Sequence, residues 1–129
     1  MAALFDYGRD SRAVRGWGTP WDAGIVAVVD GRRLGAAWYR RVEVLPGIPG
    51  YEAPMSRETF VGVAREAQRR GIGTALLAEL VSHAEVDRTV DALIAIPLRS
   101  RDAAMRLCKR CGFEELDDGR MWRSVGRIV

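Results

Sequence analysis

Two glycines one residue apart, Gly71 and Gly73, lie between an apolar run and an amphipathic segment. The run Thr59-Phe60-Val61-Gly62-Val63-Ala64 reads as a strand, and the polar stretch Arg65 to Arg70 as the turn that follows it. From Ile72 onward, Ile72, Leu76 and Leu80 share one helical face, with Leu77 and Val81 beside it. A strand, a glycine-rich turn and a helix start together form an anion site. The first N–H groups of a helix lack intrahelical acceptors, and the positive end of the helix dipole lies there too. Gly71 and Gly73 keep side chains off that backbone, while Arg69 and Arg70 add positive charge. The spacing excludes two common phosphate loops. A P-loop needs Gly-x-x-x-x-Gly-Lys-Ser/Thr, a dinucleotide turn needs Gly-x-Gly-x-x-Gly, and neither is present.

Other reactive side chains are sparse. His83, the only histidine, follows Leu76 and Leu80 on the core side of the helix and reads as a packed or half-exposed ring rather than a catalyst. Cys108 and Cys111 lie on one helix without further Cys or His partners, so no metal site is expected. Two cysteines do not make a disulfide framework, and the expectation is reduced thiols in a cytoplasm. The 20 Lys and Arg exceed the 17 Asp and Glu by only +3, which suits a phosphate-bearing ligand and is weak evidence for nucleic acid, a third reading that rests on mild basicity alone. No apolar run approaches membrane-spanning length, and no signal-peptide core is evident at the N-terminus. At 129 residues the expectation is one domain spanning 1–129, with residues 1–23 as a short N-terminal segment and a core over 24–125.

The elements that must position the glycine turn follow from pattern. Ser11 to Trp17 suits a short helix with Ser11 as N-cap, broken by Gly16, Gly18 and Pro20. Gly24 to Val29 is a strand, Asp30-Gly31 a hairpin turn, and Arg33 to about Val44 the return strand. Pro46 to Pro54 cannot be regular, and so long a connection is as readily functional as slack. After the turn a helix is expected over residues 71–87, then a strand over Ala92–Leu98 interrupted by Pro97. A second helix over 100–111 buries Ala104, Leu107, Cys108 and Cys111 and stops at Gly112. Phe113–Leu116 and Met121–Val125 are the last strands, joined by an Asp118-Gly119 turn. The order is β-β-β-α-β-α-β-β.

Gln68-x-x-Gly71-x-Gly73 after a strand, followed on the predicted elements by Leu107-Cys108-Lys109-Arg110-Cys111-Gly112-Phe113, resembles the GNAT N-acetyltransferase superfamily. Trp17-Gly18-Thr19-Pro20-Trp21-Asp22-Ala23-Gly24 is similar to small bacterial members, and the N-terminal strand and helices look shortened. The resemblance covers roughly residues 24–123 and implies an α/β fold of the α+β kind. A central, mostly antiparallel mixed sheet is flanked by helices, and two central strands splay apart at the CoA site. Pro97 fits that splay.

The resemblance further implies acetyl-CoA as co-substrate, no metal, and direct acetyl transfer to a primary amine of a small molecule or protein, without a covalent enzyme intermediate. It places CoA against Gln68, Arg69, Arg70, Gly71, Ile72, Gly73 and Thr74, with a backbone N–H around Val61 to Val63 for the thioester oxygen. Glu58 is the candidate base that frees the amine of its proton, with the alternative of a solvated strand-end carboxylate; alternation puts Glu58, Phe60 and Gly62 on one face. Glu43 and Glu52 are lesser candidates that suit a cationic amine. Asp102 stands where many members have Asn, and an ionised carboxylate cannot donate to pantetheine. Cys108 stands where many members have the Tyr that protonates the leaving thiolate, so it reads either as a substitute acid or, preferably, as a small buried apolar residue. Lys109, Arg110 and Arg106 read as a solvated face from which one residue meets the CoA 3′-phosphate. A homodimer, and no nucleic-acid or membrane partner, complete the expectation; a catalytically silent acyl-CoA-binding module is the alternative.

Overall fold

A computed structural model describes residue 14 and residues 17–41, 56–96 and 101–125, with the side chain of Arg101 excepted. Glu43, Glu52, Pro97, the connection Pro46 to Pro54 and most of the Ser11 to Trp17 segment lie outside the described residues. Six strands and two helices follow one another as β1 (Ala23–Val29), β2 (Arg32–Arg41), β3 (Ser56–Val63), α1 (Ile72–Val86), β4 (Ala92–Ala95), α2 (Arg101–Arg110), β5 (Glu114–Glu115) and β6 (Met121–Ser124). A short 3₁₀ turn, Arg65–Ala67, joins β3 to the glycine loop. This is the order expected from sequence.

The strands form one sheet in the order β1-β2-β3-β4-β6-β5. Every neighbouring pair is antiparallel except β3 and β4, which run parallel because α1 carries the chain back between them. The β1–β2 hairpin turns on Asp30 (φ 50) and Gly31 (φ 76), two positive φ values that match the twist of the flanking strands. The α2 helix ends at Gly112 (φ 85), with the Phe113 N–H donating to Cys108 O at 3.0 Å and the Gly112 N–H to Lys109 O at 3.1 Å. That pair of bonds is a Schellman stop.

Both helices cover one face of the sheet. Leu76, Leu77, Leu80 and Val81 of α1, with Ala104, Leu107 and Cys108 of α2, pack on Tyr39, Val61, Val63, Leu93 and Met121. Each such aliphatic side chain stabilises the fold by about 1.5–3 kcal/mol. On the opposite face Trp38 and Phe60 stack with ring centroids 5.6 Å apart.

The strand β3 organises the sheet. It starts at Ser56, ahead of its apolar run, and all its residues are buried, Ser56, Arg57, Glu58 and Thr59 included. It pairs with β2 along its full length in unbroken register. With β4 it pairs only at Ser56↔Ala92, Arg57↔Leu93 and Glu58↔Ile94. Past Glu58 the two parallel strands part, and among the described residues Thr59–Val63 presents an open edge. The expected splay is therefore present, and it begins at Glu58.

Candidate active site

The open edge has a definite polarity. The Ala64 N–H donates to Leu34 O of β2 at 2.7 Å. Backbone groups alternate sides along a strand, so the N–H groups of Val63, Val61 and Thr59 turn the other way, toward the gap that β4 leaves. The side chains of Val61 and Val63 are buried in the core, so their backbone is what they offer at that edge.

Beyond Val63 the chain folds into a compact loop. The Ala67 N–H donates to Ala64 O at 2.9 Å and the Gln68 N–H to Arg65 O at 3.3 Å. The Gln68 side chain reaches back, its Nε2 donating to Val63 O at 3.2 Å, and so ties the loop to the end of β3. Arg69 (φ 66) and Gly71 (φ 77) both take the left-handed conformation. For Arg69 this is a strained choice; for Gly71 it is not, because glycine lacks the Cβ that crowds the carbonyl. Gly71 is the N-cap of α1 and supplies no side-chain acceptor. The N–H groups of Ile72, Gly73 and Thr74 thus stand at the helix start without a capping side chain, at the positive end of the dipole.

These groups border a cleft of about 510 Å³. One wall is the loop and the first turn of α1, with Gln68, Arg69, Gly71, Ile72, Gly73 and Thr74. The facing wall is α2, with Ala103, Arg106, Leu107 and Arg110, and Val63 lies between them. Arg70 is exposed on the loop beside the cleft rather than in its lining. Asp102 is exposed in the first turn of α2 and does not line the cleft; its neighbour Ala103 does.

Glu58 sits on the last paired rung of β3 and β4, 4% exposed, on the face of Phe60. Directly opposite it on β2 is Arg40. Arg40 is held by Asp22, with Nε donating to Oδ1 at 2.9 Å and Nη2 to Oδ2 at 3.3 Å, and its guanidinium lies 5.7 Å over the Trp17 ring. Partial burial pushes the Asp22 carboxyl up, but Arg40 and the Thr19 and Gly18 N–H groups outweigh that and hold it below the ordinary carboxylate value. A carboxylate, a guanidinium and a second carboxylate thus follow one another across β3, β2 and the segment before β1.

Cys108 lies elsewhere. It is 2% exposed in the core between α2 and the sheet, and it does not line the cleft. Burial, with a smaller contribution from Cys111, pushes its thiol up to about 12. An acid that weak gives up its proton to a leaving thiolate of ordinary pKa only uphill. Cys111 is closer to the loop, its Sγ donating to Thr74 O at 3.6 Å.

A second polar cluster, distant from the loop, was not foreseen. The Tyr39 hydroxyl donates to Asp87 Oδ2 at 2.8 Å and lies 3.1 Å from His83 Nδ1. Arg57, 1% exposed, donates through Nη2 to Thr89 O at 2.9 Å and Thr89 Oγ1 at 3.1 Å, and through Nη1 to Ser56 O at 3.1 Å. Burial and the neighbouring Asp87 carboxylate push the Tyr39 hydroxyl up. His83 is exposed as a residue, yet its ring belongs to this cluster at the end of α1. The residues lie far apart in sequence and no spacing announces them.

Fold and cleft together define a protein that holds a phosphate-bearing ligand at a helix start, and comparison with known proteins supplies the family. The chain belongs to the acetyltransferase (GNAT) family, whose sequence model matches residues 3–113. The aminoglycoside acetyltransferase AAC(6')-Ib, solved with coenzyme A and kanamycin, shares the fold at a TM-score of 0.64 and 23% identity, covering 81% of this chain and 67% of that one. An N-acetyltransferase from Staphylococcus aureus Mu50 aligns at a TM-score of 0.67 and 19% identity over 81% of this chain and 68% of its own. A ribosomal-protein-alanine N-acetyltransferase from Brucella melitensis aligns at 0.64 and 30% identity over 78% and 67%. The chain thus spans about two thirds of the length of these structures. No curated protein sequence matches it.

Coenzyme A fits what the structure presents. The cleft joins uncapped helix N–H groups, a loop backbone bare of Cβ at Gly71 and the guanidinium groups of Arg69, Arg106 and Arg110. That is a cradle for a polyanion rather than for an apolar or cationic ligand.

Proposed function

We propose that the protein, acting as a single domain, transfers an acetyl group from acetyl-CoA directly to a primary amine of a small molecule or a protein. The observation that carries this reading is the parting of β3 and β4 immediately after Glu58. It sets a carboxylate at the mouth of an open strand edge whose far end leads into the cationic cleft. Bound acetyl-CoA supplies an acyl carbonyl activated as a thioester.

In this reading the N–H groups of Ile72, Gly73 and Thr74, with Arg69 and Arg70, hold the pyrophosphate, and Gln68 keeps the loop in shape. The N–H of Val61 or Val63 donates to the acyl oxygen. An alkylamine has a pKa of roughly 10.4 and arrives protonated, so a base must take its proton before nitrogen can attack. Glu58, directly or through one water, takes it. The new C–N bond forms as the C–S bond breaks, and water relays the proton that nitrogen then sheds to the departing sulfur. Cys108 is left out of that step because of its burial and its place away from the cleft.

A second reading, an acyl-CoA-binding module without transfer, is favoured by one observation: the family's acid position is occupied by a buried thiol. Calorimetric titration of acetyl-CoA and thiol release with a panel of amines test both. Transfer predicts binding and amine-dependent thiol release; a module predicts binding alone. A homodimer and a cytoplasmic location belong to the same proposal. Val26, Val28 and Val29, exposed on the outermost described strand, support the former, and two free cysteines support the latter.

A further inference from the structure

The transfer chemistry leaves one buried group of the splay unused. Thr59 is the first residue of β3 past the last rung that it shares with β4. It is 3% exposed, and its Oγ1 has no hydrogen-bond partner. The only other such side-chain atom among the described residues is Nε of Arg57, whose two terminal nitrogens are held by Ser56 and Thr89. A buried hydroxyl without a partner costs the fold stability that a valine of the same shape would not.

Its neighbours give Thr59 nothing to bond. Tyr39, directly opposite on β2, commits its hydroxyl to Asp87 and His83. Ala95, the residue of β4 beyond the last rung, has no polar side-chain atom. Alternation puts Thr59 on the face of Val61 and Val63, which is the face that both helices cover. Val63 lines the cleft, and Thr59 stands about 13 Å further along the strand. The row Val63, Val61, Thr59 thus runs from the cleft to the point where the splay closes.

Glu58 and Thr59 are consecutive, so their side chains leave opposite faces of the sheet at that point. In the transfer reading the amine meets Glu58 on the face of Phe60. The sulfur must leave the tetrahedral carbon on another side than the one nitrogen enters. The helix face is such a side, and an unpartnered hydroxyl stands on it. We propose that the Thr59 hydroxyl meets the coenzyme A sulfur and is the last member of the relay that protonates it. As the C–S bond breaks, the proton shed by nitrogen passes to water. Water passes one to Thr59 Oγ1, and Thr59 gives its own to the sulfur and ends unchanged. This assignment rests on the transfer reading and adds to it the residue on the leaving-group side.

Thr59→Val and Thr59→Ser test it. Thr59→Val is expected to raise the melting temperature of the free protein by a few degrees, to bind acetyl-CoA within about threefold of the parent, and to lower kcat for amine-dependent thiol release by about 10- to 100-fold. Thr59→Ser keeps the hydroxyl and should recover most of the parent's kcat. Calorimetry with coenzyme A and desulfo-coenzyme A, which lacks the sulfur, reads the contact without any acceptor amine. The parent's preference for coenzyme A should shrink about threefold or more in Thr59→Val and persist in Thr59→Ser. A folded Thr59→Val with the parent's kcat, or with the parent's preference for coenzyme A, would overturn the assignment. So would a lower melting temperature in Thr59→Val, which would show the hydroxyl bonded in the free protein, or equal losses in both variants, which would make packing the cause. No transfer by the parent to any amine would remove the transfer reading and the relay with it. A preference for coenzyme A lost only in Thr59→Val would even then uphold the sulfur contact.

Discussion

The strand β3 and the helix α1 each have one closed end and one open end, and the open ends lie together. At the closed ends, Arg57 donates to Ser56 and Thr89, Tyr39 bridges His83 and Asp87, and Asp87 Oδ1 accepts from the Thr89 N–H at 2.9 Å and hydroxyl at 2.7 Å. Buried charge there is met by hydrogen bonds at every position but Arg57 Nε, which has none, as its desolvation otherwise demands. At the open ends, β3 has no described neighbour on its β4 side past Glu58, α1 has no side-chain cap, and Arg69 is held in a left-handed conformation. The same two elements therefore separate two tasks. One end fixes the fold, and the other keeps backbone donors and positive charge available for a ligand.

The largest expected effect lies at the junction of the two regimes. Glu58→Gln should lower kcat by about 10²- to 10⁴-fold, the usual worth of general acid–base catalysis, with acetyl-CoA affinity kept. A loss below tenfold would return Glu58 to a structural role on the last rung. Next comes the open end of α1. Gly73→Asp puts a carboxylate among the uncapped N–H groups and should weaken acetyl-CoA by at least about 100-fold through lost hydrogen bonds and repulsion. Thr74→Asp repeats the charge change at a less buried position, and calorimetry on either folded variant is decisive.

The closed end should respond in stability instead. Asp87→Asn is expected to cost about 1–2 kcal/mol in thermal or urea unfolding, while acetyl-CoA affinity stays at the parent's value. Its pH dependence has a definite sign. Burial pushes the Asp87 carboxyl up, but Thr89, Tyr39 and Arg57 outweigh it and hold the carboxyl below its ordinary value of 3.8. The stabilisation is complete above that ordinary value and is lost as pH falls through the folded one. Parent and Asp87→Asn melting temperatures should therefore converge as pH drops below about 3.8, and a gap that persists there would argue against an ionised Asp87 in the network.

The smallest effect is expected at Cys108. Cys108→Ala should keep transfer within tenfold of the parent, because a thiol pushed up to about 12 and set away from the cleft wall is a poor proton source. A loss of about 10²-fold or more with acetyl-CoA affinity intact would instead make Cys108 the acid. The same burial predicts that Cys108 resists thiol reagents at pH 8 until the protein unfolds.

Periodicity made the helices legible: Leu76, Leu77, Leu80 and Val81 recur at helical spacing, and all are buried. Turn chemistry made the punctuation legible, because Gly31, Gly71 and Gly112 occupy positive φ values that disfavour a side chain. The start of β3 was hidden, since Ser56 and Arg57, ahead of Glu58, have the composition of a solvated turn and are buried only by pairing on both sides. The Arg57–Thr89 and Tyr39–Asp87 contacts were hidden because they join residues 32 and 48 positions apart, which local patterns do not encode. In the site, the loop was legible from its glycines. The facing wall was legible only in part: Arg106, Lys109 and Arg110 were read together as a solvated face with one of them toward the ligand, and only what lies opposite separates Arg106 and Arg110, on the wall, from Lys109, off it.

Thiol release from acetyl-CoA, followed across a panel of small amines and amine-bearing peptides, tests the central claim most directly. The account predicts amine-dependent release, rising with pH as the amine loses its proton, and strongly reduced in Glu58→Gln. Tight acetyl-CoA binding with no release above background for any amine would contradict it and leave a module that holds acyl-CoA without passing the acyl group on.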